Sequence, residues 1–447
     1  MPPGKASSRR CDEAPTMTPS LPPVYAHVVV VIQENRSFNN LFNGFPGAHS
    51  VRVGKDHLGR SIVLQPAGFQ NSTDPNHGHA DLVREWDGGK MDGFDLDGFT
   101  EAPTAAPVSR TFAYAYVPQS QTKAYWTLAS RYAIADHMFS SALSPTFPGH
   151  MFLISGRGPA DDPYAPAPPY DGLPWGCGSP AGTLVAMFGP DGTVGTPPKL
   201  EFPCFDYPTL GSLLDAKGLS WKYYSNNDYP YNTWDGGVGA YTAIRTMYGT
   251  AEFTATNVPR YDFFADAKSC SLPAVSYITP DGGASDHAGT FGWTAGPDWV
   301  SLIYNAIATS SCSYYGNTAL LVTWDDTGGW YDDVAPPLDL RGLPLGMRVP
   351  LIFIAANAKP HYISTRQHDF GSILHFIESN FGLGSLSTMQ SDPVTRDVLA
   401  DDLSDMWNAG AANPIAPIPF SQLSSTPEKR TVSYYRNRQS LKLVDDQ

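Results

Sequence analysis

The chain has 447 residues, 42% of them apolar, and its 43 Asp and Glu against 29 Lys and Arg give a formal net charge of −14. That length is enough to bury a large core, while the acidic balance and the lack of a long Lys/Arg run exclude a binder of bare nucleic acid. No apolar run reaches the roughly 20 residues of a membrane-spanning helix, and 41 glycines with 41 prolines point to long, turn-rich loops on a regular scaffold.

Residues 1–23 are rich in Pro, Ser and charge, lack the apolar core of a signal peptide, and read as a disordered leader. From His27 the sequence runs Val-Val-Val-Val-Ile, a short β-branched stretch suited to a strand buried on both faces of a parallel sheet. Glu34, Asn35 and Arg36 follow at its carboxyl end, where open α/β sheets bind ligands. Residues 43–118 are mostly loop, crowded with Asp74-Pro-Asn-His-Gly-His79 and Gly88-Gly-Lys-Met-Asp-Gly93.

Ala124, Leu128, Tyr132 and Ala135 recur at helical spacing and predict one helix over 119–140. Pro145 and Pro148 place Thr146 near the N-terminus of the next helix. Residues 157–205 form a Pro/Gly-rich insertion, 208–218 a helix, 220–224 a strand, and 223–266 an aromatic-rich, irregular lid or pocket wall. Strands over 273–279, 319–324 and 349–355 lead in turn to Asp281 and His287, to Asp325-Asp326, and to Lys359 and His361. Helices are expected over 297–310 and 369–381. The alternation predicts an α/β fold with a mostly parallel central sheet and helices on both faces. One catalytic domain would span 24–400, followed by a polar tail over 401–447.

Of five cysteines, Cys11 sits alone in the leader, and Cys177 with Cys204 and Cys270 with Cys312 are favoured as disulfides. That pairing implies an oxidising compartment, so a secreted or periplasmic protein, with small buried thiols in a cytoplasmic one as the alternative.

Two strand ends offer hard oxygen ligands, Glu34 with Asn35 and Asp325 with Asp326. Adjacent carboxylates repel, and a divalent metal is the simplest compensation; oxygen ligation favours Mg, Ca or Mn, though zinc also accepts carboxylates. A solvated turn before Gly328-Gly329 is the other reading of Asp325-Asp326. Thr146 at a helix N-terminus would be a nucleophile if a metal lowered its hydroxyl pKa, and a structural residue between prolines otherwise. His77, His79 and His287 lie in loops as proton donors or phosphate ligands, or as idle surface histidines.

Taken together, Glu34-Asn-Arg-Ser-Phe38, Asp74-Pro-Asn-His77, Gly89-Lys-Met-Asp-Gly-Phe94, Ser144-Pro-Thr146, Ser285-Asp-His287, Thr323-Trp-Asp-Asp-Thr-Gly-Gly329, Arg348-Val-Pro350 and Asp369-Phe-Gly-Ser-Ile-Leu374 resemble, in order, the blocks of the bacterial phosphoesterase family of non-haemolytic phospholipases C and acid phosphatases. The resemblance implies an alkaline phosphatase-like fold and a divalent metal held by Glu34, Asn35, Asp325, Asp326 and Thr146. It makes Thr146 the nucleophile, passing through a phosphothreonine. His77 and His287 become the groups around the phosphate and leaving oxygen, and Lys90 an added charge for the substrate. The expected partner is a phosphate ester, a phospholipid among the options. Thr146-Phe-Pro-Gly-His150 departs from the family's usual Pro-Asn-Arg and resembles the Thr-Phe-Pro-x-His element of nucleotide phosphodiesterases, which keeps that activity as an alternative. Asp332-Asp333 stands where the family often has Asp-His. A non-catalytic binding protein on the same scaffold would have lost the nucleophile or the carboxylates, and none is lost.

Overall fold

The computed structural model describes residues 24–69, 73–101, 108–164, 175–225, 239–281, 283–288, 295–389, 395–410 and 414–424; the leader expected over 1–23, with Cys11, lies outside them. Nine strands form the central sheet: β1 (His27–Gln33), β2 (Ala133–Phe139), β3 (Trp221–Ser225), β4 (Asn257–Pro259), β5 (Val275–Ile278), β6 (Thr318–Trp324), β7 (Arg348–Ile354), β8 (Tyr362–Ser364) and β9 (His368–Asp369). Their order is β4-β3-β5-β1-β6-β7-β2-β8, with β9 also alongside β2. β7 runs antiparallel to both β6 and β2, and every other pairing in the sheet is parallel.

Val28 to Ile32 are completely buried at the centre, the environment in which a continuous β-branched run is stable as a strand. The longer described helices are α1 (His79–Trp86), whose Leu82 and Trp86 pack in a separate small apolar cluster, and α2 (Lys123–Arg131), α3 (Thr146–Ser155), α4 (Ala295–Ala308) and α5 (Phe370–Phe381), which pack on the sheet. Val30 pairs in register with Tyr277 and with Leu321, so those two side chains share one face and Trp324, three residues on, points to the other. Tyr125 of α2 meets Trp324 edge-on at 5.1 Å, whereas Tyr277 donates its hydroxyl to the Leu153 carbonyl of α3 at 3.0 Å. The helices therefore cover both faces, as the alternation predicts.

Two expectations need correction. The single helix over 119–140 is α2 followed directly by β2: the chain leaves helical geometry at Tyr132 (φ −109, ψ −135), and Ala133 to Phe139 enter the sheet between β7 and β8. Sheet pairing outweighs the weak strand propensity of its alanines. The stretch over 223–266, expected to be irregular, holds regular elements among its described residues: 223–225 belong to β3, Ala251–Thr256 and Asp262–Lys268 are helices, and 257–259 are β4, while 226–238 lie outside the described residues. Both favoured disulfides are present, Cys177–Cys204 and Cys270–Cys312.

Candidate metal-dependent active site

Because β1 and β6 are parallel neighbours, their carboxyl ends deliver Glu34-Asn35 and Asp325-Asp326 to the same edge. The backbone locks the two loops together. Asp325 N–H donates to the Gln33 carbonyl at 3.1 Å and Arg36 N–H to that of Asp326 at 3.1 Å, while Asp325 Oδ1 accepts from Asn35 N–H at 3.0 Å and Asp326 N–H at 2.8 Å. Asn35 sits in the left-handed region at φ 62, a conformation Asn tolerates better than most side chains. Gly328 (φ +59) packs against it so closely that a Cβ there would lie 2.5 Å from the Asn35 Cβ.

Thr146 is the first residue of α3, and it closes the group from 180 residues away: its hydroxyl lies 3.2 Å from Asp326 Oδ2 and 3.4 Å from Asn35 Oδ1. The N-terminus of α3 also takes a carboxylate, Asp162 Oδ1 accepting from Phe147 N–H at 2.9 Å. His77 Nε2 lies 2.9 Å from the Asn35 side-chain nitrogen, and its Nδ1 donates to the Pro75 carbonyl at 2.7 Å. His287 stands beside it, the rings 5.8 Å apart. Asp74, His77 and His287 each offer a ligand atom within 4.8 Å of the others.

The electrostatics of this pocket are unbalanced. Burial, then Asp325 and Asp326, drives the Glu34 carboxyl well above its ordinary range, with Arg260 opposing. Burial and Asp325 do the same to Asp326. Asp325 moves the other way: burial disfavours its charge, but His150 and two backbone N–H groups outweigh that and hold it low. Burial also works against charge on His77, yet Asp74 and Asp326 push it up to about 10. Among the described residues no Lys or Arg forms an ion pair with Asp325 or Asp326. Glu34 Oε1 and Asp325 Oδ2 are buried with no hydrogen-bond partner. Three crowded carboxylates with orphaned oxygens, an amide oxygen and a hydroxyl form a donor set that fits a divalent cation.

The structure thus brings Glu34, Asn35, Thr146, Asp325, Asp326, His77 and His287 into one pocket. Lys90 is not brought in: its ammonium is exposed and bonded to Asp87 at 2.6 Å. His79 is tied to the Leu143 carbonyl and the Phe188 ring. Lys359 and His361 fall at the opposite edge, because β7 is antiparallel, and it is Arg348 at its start that reaches the site's edge. Four neighbours escaped the sequence reading. Asp162 lies in an insertion without periodicity, and Glu85 on a charged helix reads as solvent-facing although it is fully buried. Arg260, which faces Glu34 and Asp281, follows the short edge strand β4. His150 was read only as a motif letter; it is fully buried, with Nδ1 3.0 Å from the Tyr223 hydroxyl and Nε2 3.6 Å from Asp325 Oδ2.

The Phosphoesterase family profile matches residues 25–384. Curated relatives include a non-haemolytic phospholipase C of Burkholderia pseudomallei, 26% identical over 86% of this chain and 59% of the relative. Phospholipase C A of Mycobacterium tuberculosis is 24% identical over 86% and 77%, and a haemolytic phospholipase C of Pseudomonas aeruginosa 25% identical over 80% and 53%. The chain therefore spans between about half and three quarters of the length of these proteins. A solved structure from the alkaline phosphatase superfamily, from Vibrio parahaemolyticus, aligns over 86% of this chain and 71% of its own at 11% identity with a TM-score of 0.38. With its blocks matched from β1 through α5 and its pocket built from them, the chain belongs to the Phosphoesterase family.

Proposed function

We propose that the chain is a metal-dependent hydrolase of phosphoric esters, of the phospholipase C or acid phosphatase type, acting through a phosphothreonine at Thr146. The observation that carries the reading is the Thr146 hydroxyl at a helix N-terminus, 3.2 Å from one of three crowded, buried carboxyls. A divalent cation held by Glu34, Asn35, Asp325 and Asp326 with the Thr146 hydroxyl would supply the positive charge that favours the alkoxide. Thr146 Oγ1 then attacks phosphorus in line, the bond to the leaving oxygen breaks, and His77 or His287 protonates that oxygen. Water next attacks the phosphothreonine, its proton returns to the histidine, and the bond from phosphorus to Oγ1 breaks.

The phospholipase C names of the relatives favour a phospholipid diester as substrate, and two disulfides favour action outside the cytoplasm. No described helix is long and apolar enough to cross a membrane. His150 bears on the nucleotide phosphodiesterase alternative: it is spent on Tyr223 and Asp325 inside the protein, so it supports Asp325 and does not select a leaving group.

The test is Thr146→Ala assayed on phosphatidylcholine, glycerophosphocholine and p-nitrophenyl phosphate. Turnover should fall by on the order of 10³-fold or more on every ester the wild type hydrolyses, with the circular dichroism spectrum unchanged. Full activity in the folded variant would overturn the mechanism.

A further inference from the structure

A second group of metal-type donors lies at the far end of the sheet, separated from β1 by β6, β7 and β2. His368 of β9 is fully buried. It faces the segment Asp401-Asp402-Leu403-Ser404-Asp405, where Leu403 at φ 57 turns the chain and is itself buried. His368 Nδ1 lies 2.7 Å from Asp401 Oδ1, and Nε2 lies 3.7 Å from Asp405 Oδ1 and 2.8 Å from Ser364 Oγ. One ligand atom from each of His368, Asp401 and Asp405 falls within 4.8 Å of the other two.

The hydrogen bonds around the carboxylates are divided in a telling way. Asp405 Oδ2 accepts from the hydroxyls of Tyr362, at 3.0 Å, and Ser364. Asp401 Oδ1 accepts from Ser372 Oγ at 2.8 Å. The other oxygen of each, Asp405 Oδ1 and Asp401 Oδ2, is buried and has no hydrogen-bond partner, although the Asp405 side chain is only 3% exposed. Among the described residues neither carboxylate has a Lys or Arg ion partner, so one imidazole faces two acids. Outer hydroxyls that orient one oxygen of each carboxylate while the other is left open are what a metal site's supporting shell looks like.

We propose that His368, Asp401 and Asp405 form a second, structural divalent-metal site, distinct from the catalytic pocket. One imidazole nitrogen with two carboxylate oxygens suits Zn²⁺ or Mn²⁺ better than the all-oxygen preference of Ca²⁺ or Mg²⁺. Ligands at about 2.1 Å from a shared ion stand roughly 3–3.5 Å apart; since Ser364 engages Nε2, an ion would take Nδ1, replace its hydrogen bond to Asp401, and draw in Asp405 Oδ1 from within 4.8 Å. Asp401, 28% exposed at its side chain, gives the ion a route in and leaves room for water to complete its coordination. The effect would be a clasp: Leu403 and Met406 already insert into the main core, and Lys359 N–H bonds the Met406 carbonyl at 2.9 Å. A bound ion would fasten that segment to the β8–β9 edge.

The test uses full-length protein stripped with chelator and titrated with Zn²⁺ and, separately, Mn²⁺, with bound metal counted after gel filtration and the unfolding midpoint recorded. Asp401→Asn and His368→Gln should each hold one metal equivalent fewer than wild type, weaken that equivalent at least tenfold, and lose the part of the metal-dependent rise in midpoint that it supplies. Glu34→Gln/Asp326→Asn should keep it. Asp401→Asn, part-exposed and isosteric, decides the matter if His368→Gln does not fold. Unchanged metal stoichiometry and midpoint response in Asp401→Asn would overturn the proposal.

Discussion

Two Asp-Asp pairs lie seven residues apart on the same loop, and they are handled in opposite ways. Asp332 is buried and Asp333 nearly so, yet Arg348 donates Nε to Asp332 Oδ1 at 2.8 Å and stands 3.6 Å from Asp333 Oδ1, while His49 Nε2 meets Asp333 Oδ2 at 2.6 Å. Asn39 and Val334 N–H groups complete Asp332. The fold sets the Arg348 guanidinium and the His49 ring against that pair. Among the described residues no guanidinium pairs with Asp325 or Asp326, and Glu34 is pushed in against them. The first pair is a strut, and the second, on the proposed function, is a socket for a charge from outside. The same dipeptide in sequence thus acquires its meaning from what the fold places opposite it.

The largest effects should come from emptying the socket. Asp326→Asn and Glu34→Gln remove carboxyls whose ionisation the metal-free fold disfavours, so in chelator their unfolding midpoints should equal or exceed that of wild type. Hydrolysis should nevertheless drop by about 10²–10³-fold, and bound metal, measured by elemental analysis, should fall. A midpoint that collapses while metal is retained would make this pair a strut as well.

Breaking the strut should do the reverse. Arg348→Met leaves Asp332 buried opposite no cation and should cost about 3–5 kcal/mol in denaturant unfolding, with the surviving folded fraction holding its metal at Asp325 and Asp326. A loss below 1 kcal/mol would show that the Asn39 and Val334 N–H groups suffice for Asp332.

Titration cuts across the two pairs: burial raises Asp332 as it raises Asp326, while Asp325 is held low. Glu34 and Asp326 have raised pKa values in the metal-free fold, and burial lifts Asp162 to about 7 and Glu85 to about 8. Carboxyls that hold protons when folded release them on unfolding, so their stability contribution is present at acid pH and lost as pH rises through the folded values. His77, raised to about 10, has the same sign at higher pH. In chelator the unfolding midpoint should therefore fall between about pH 4 and 8, and added metal should raise it more at pH 8 than at pH 5. A metal effect equal at both pH values would remove Glu34 and Asp326 from the ligand set.

Much of the socket was legible because its parts sit at strand ends whose apolar runs announce them: four valines before Glu34, and Ala319 to Trp324 before Asp325. Prolines around Thr146 gave away the helix start. The strut was not legible, since nothing in Asp332-Asp333 says that β7 will run antiparallel and bring Arg348 from the start of that strand to meet it. β2 was hidden for a related reason: Tyr132 and Ala135 continue the helical spacing of α2, and only pairing with β7 and β8 makes the segment from Ala133 a strand. Lys90 shows the opposite error, a motif residue whose side chain the fold turns to solvent. Local pattern reports what a segment can be, and the non-local partner decides what its charges do.

The smallest expected effect lies within the strut itself. Asp333 keeps 19% of its side chain exposed, and His49, its closest partner, keeps 51%; solvent screens that contact strongly. Asp333→Asn retains a hydrogen-bond acceptor for His49 and leaves Arg348 bonded to Asp332, so it should change unfolding free energy by less than about 1 kcal/mol and leave hydrolysis and metal content at wild-type levels. If Asp333→Asn instead stripped metal or activity, the two pairs would share one charge network through their common loop, and the division into strut and socket would fail at the residue where it ought to be least stressed.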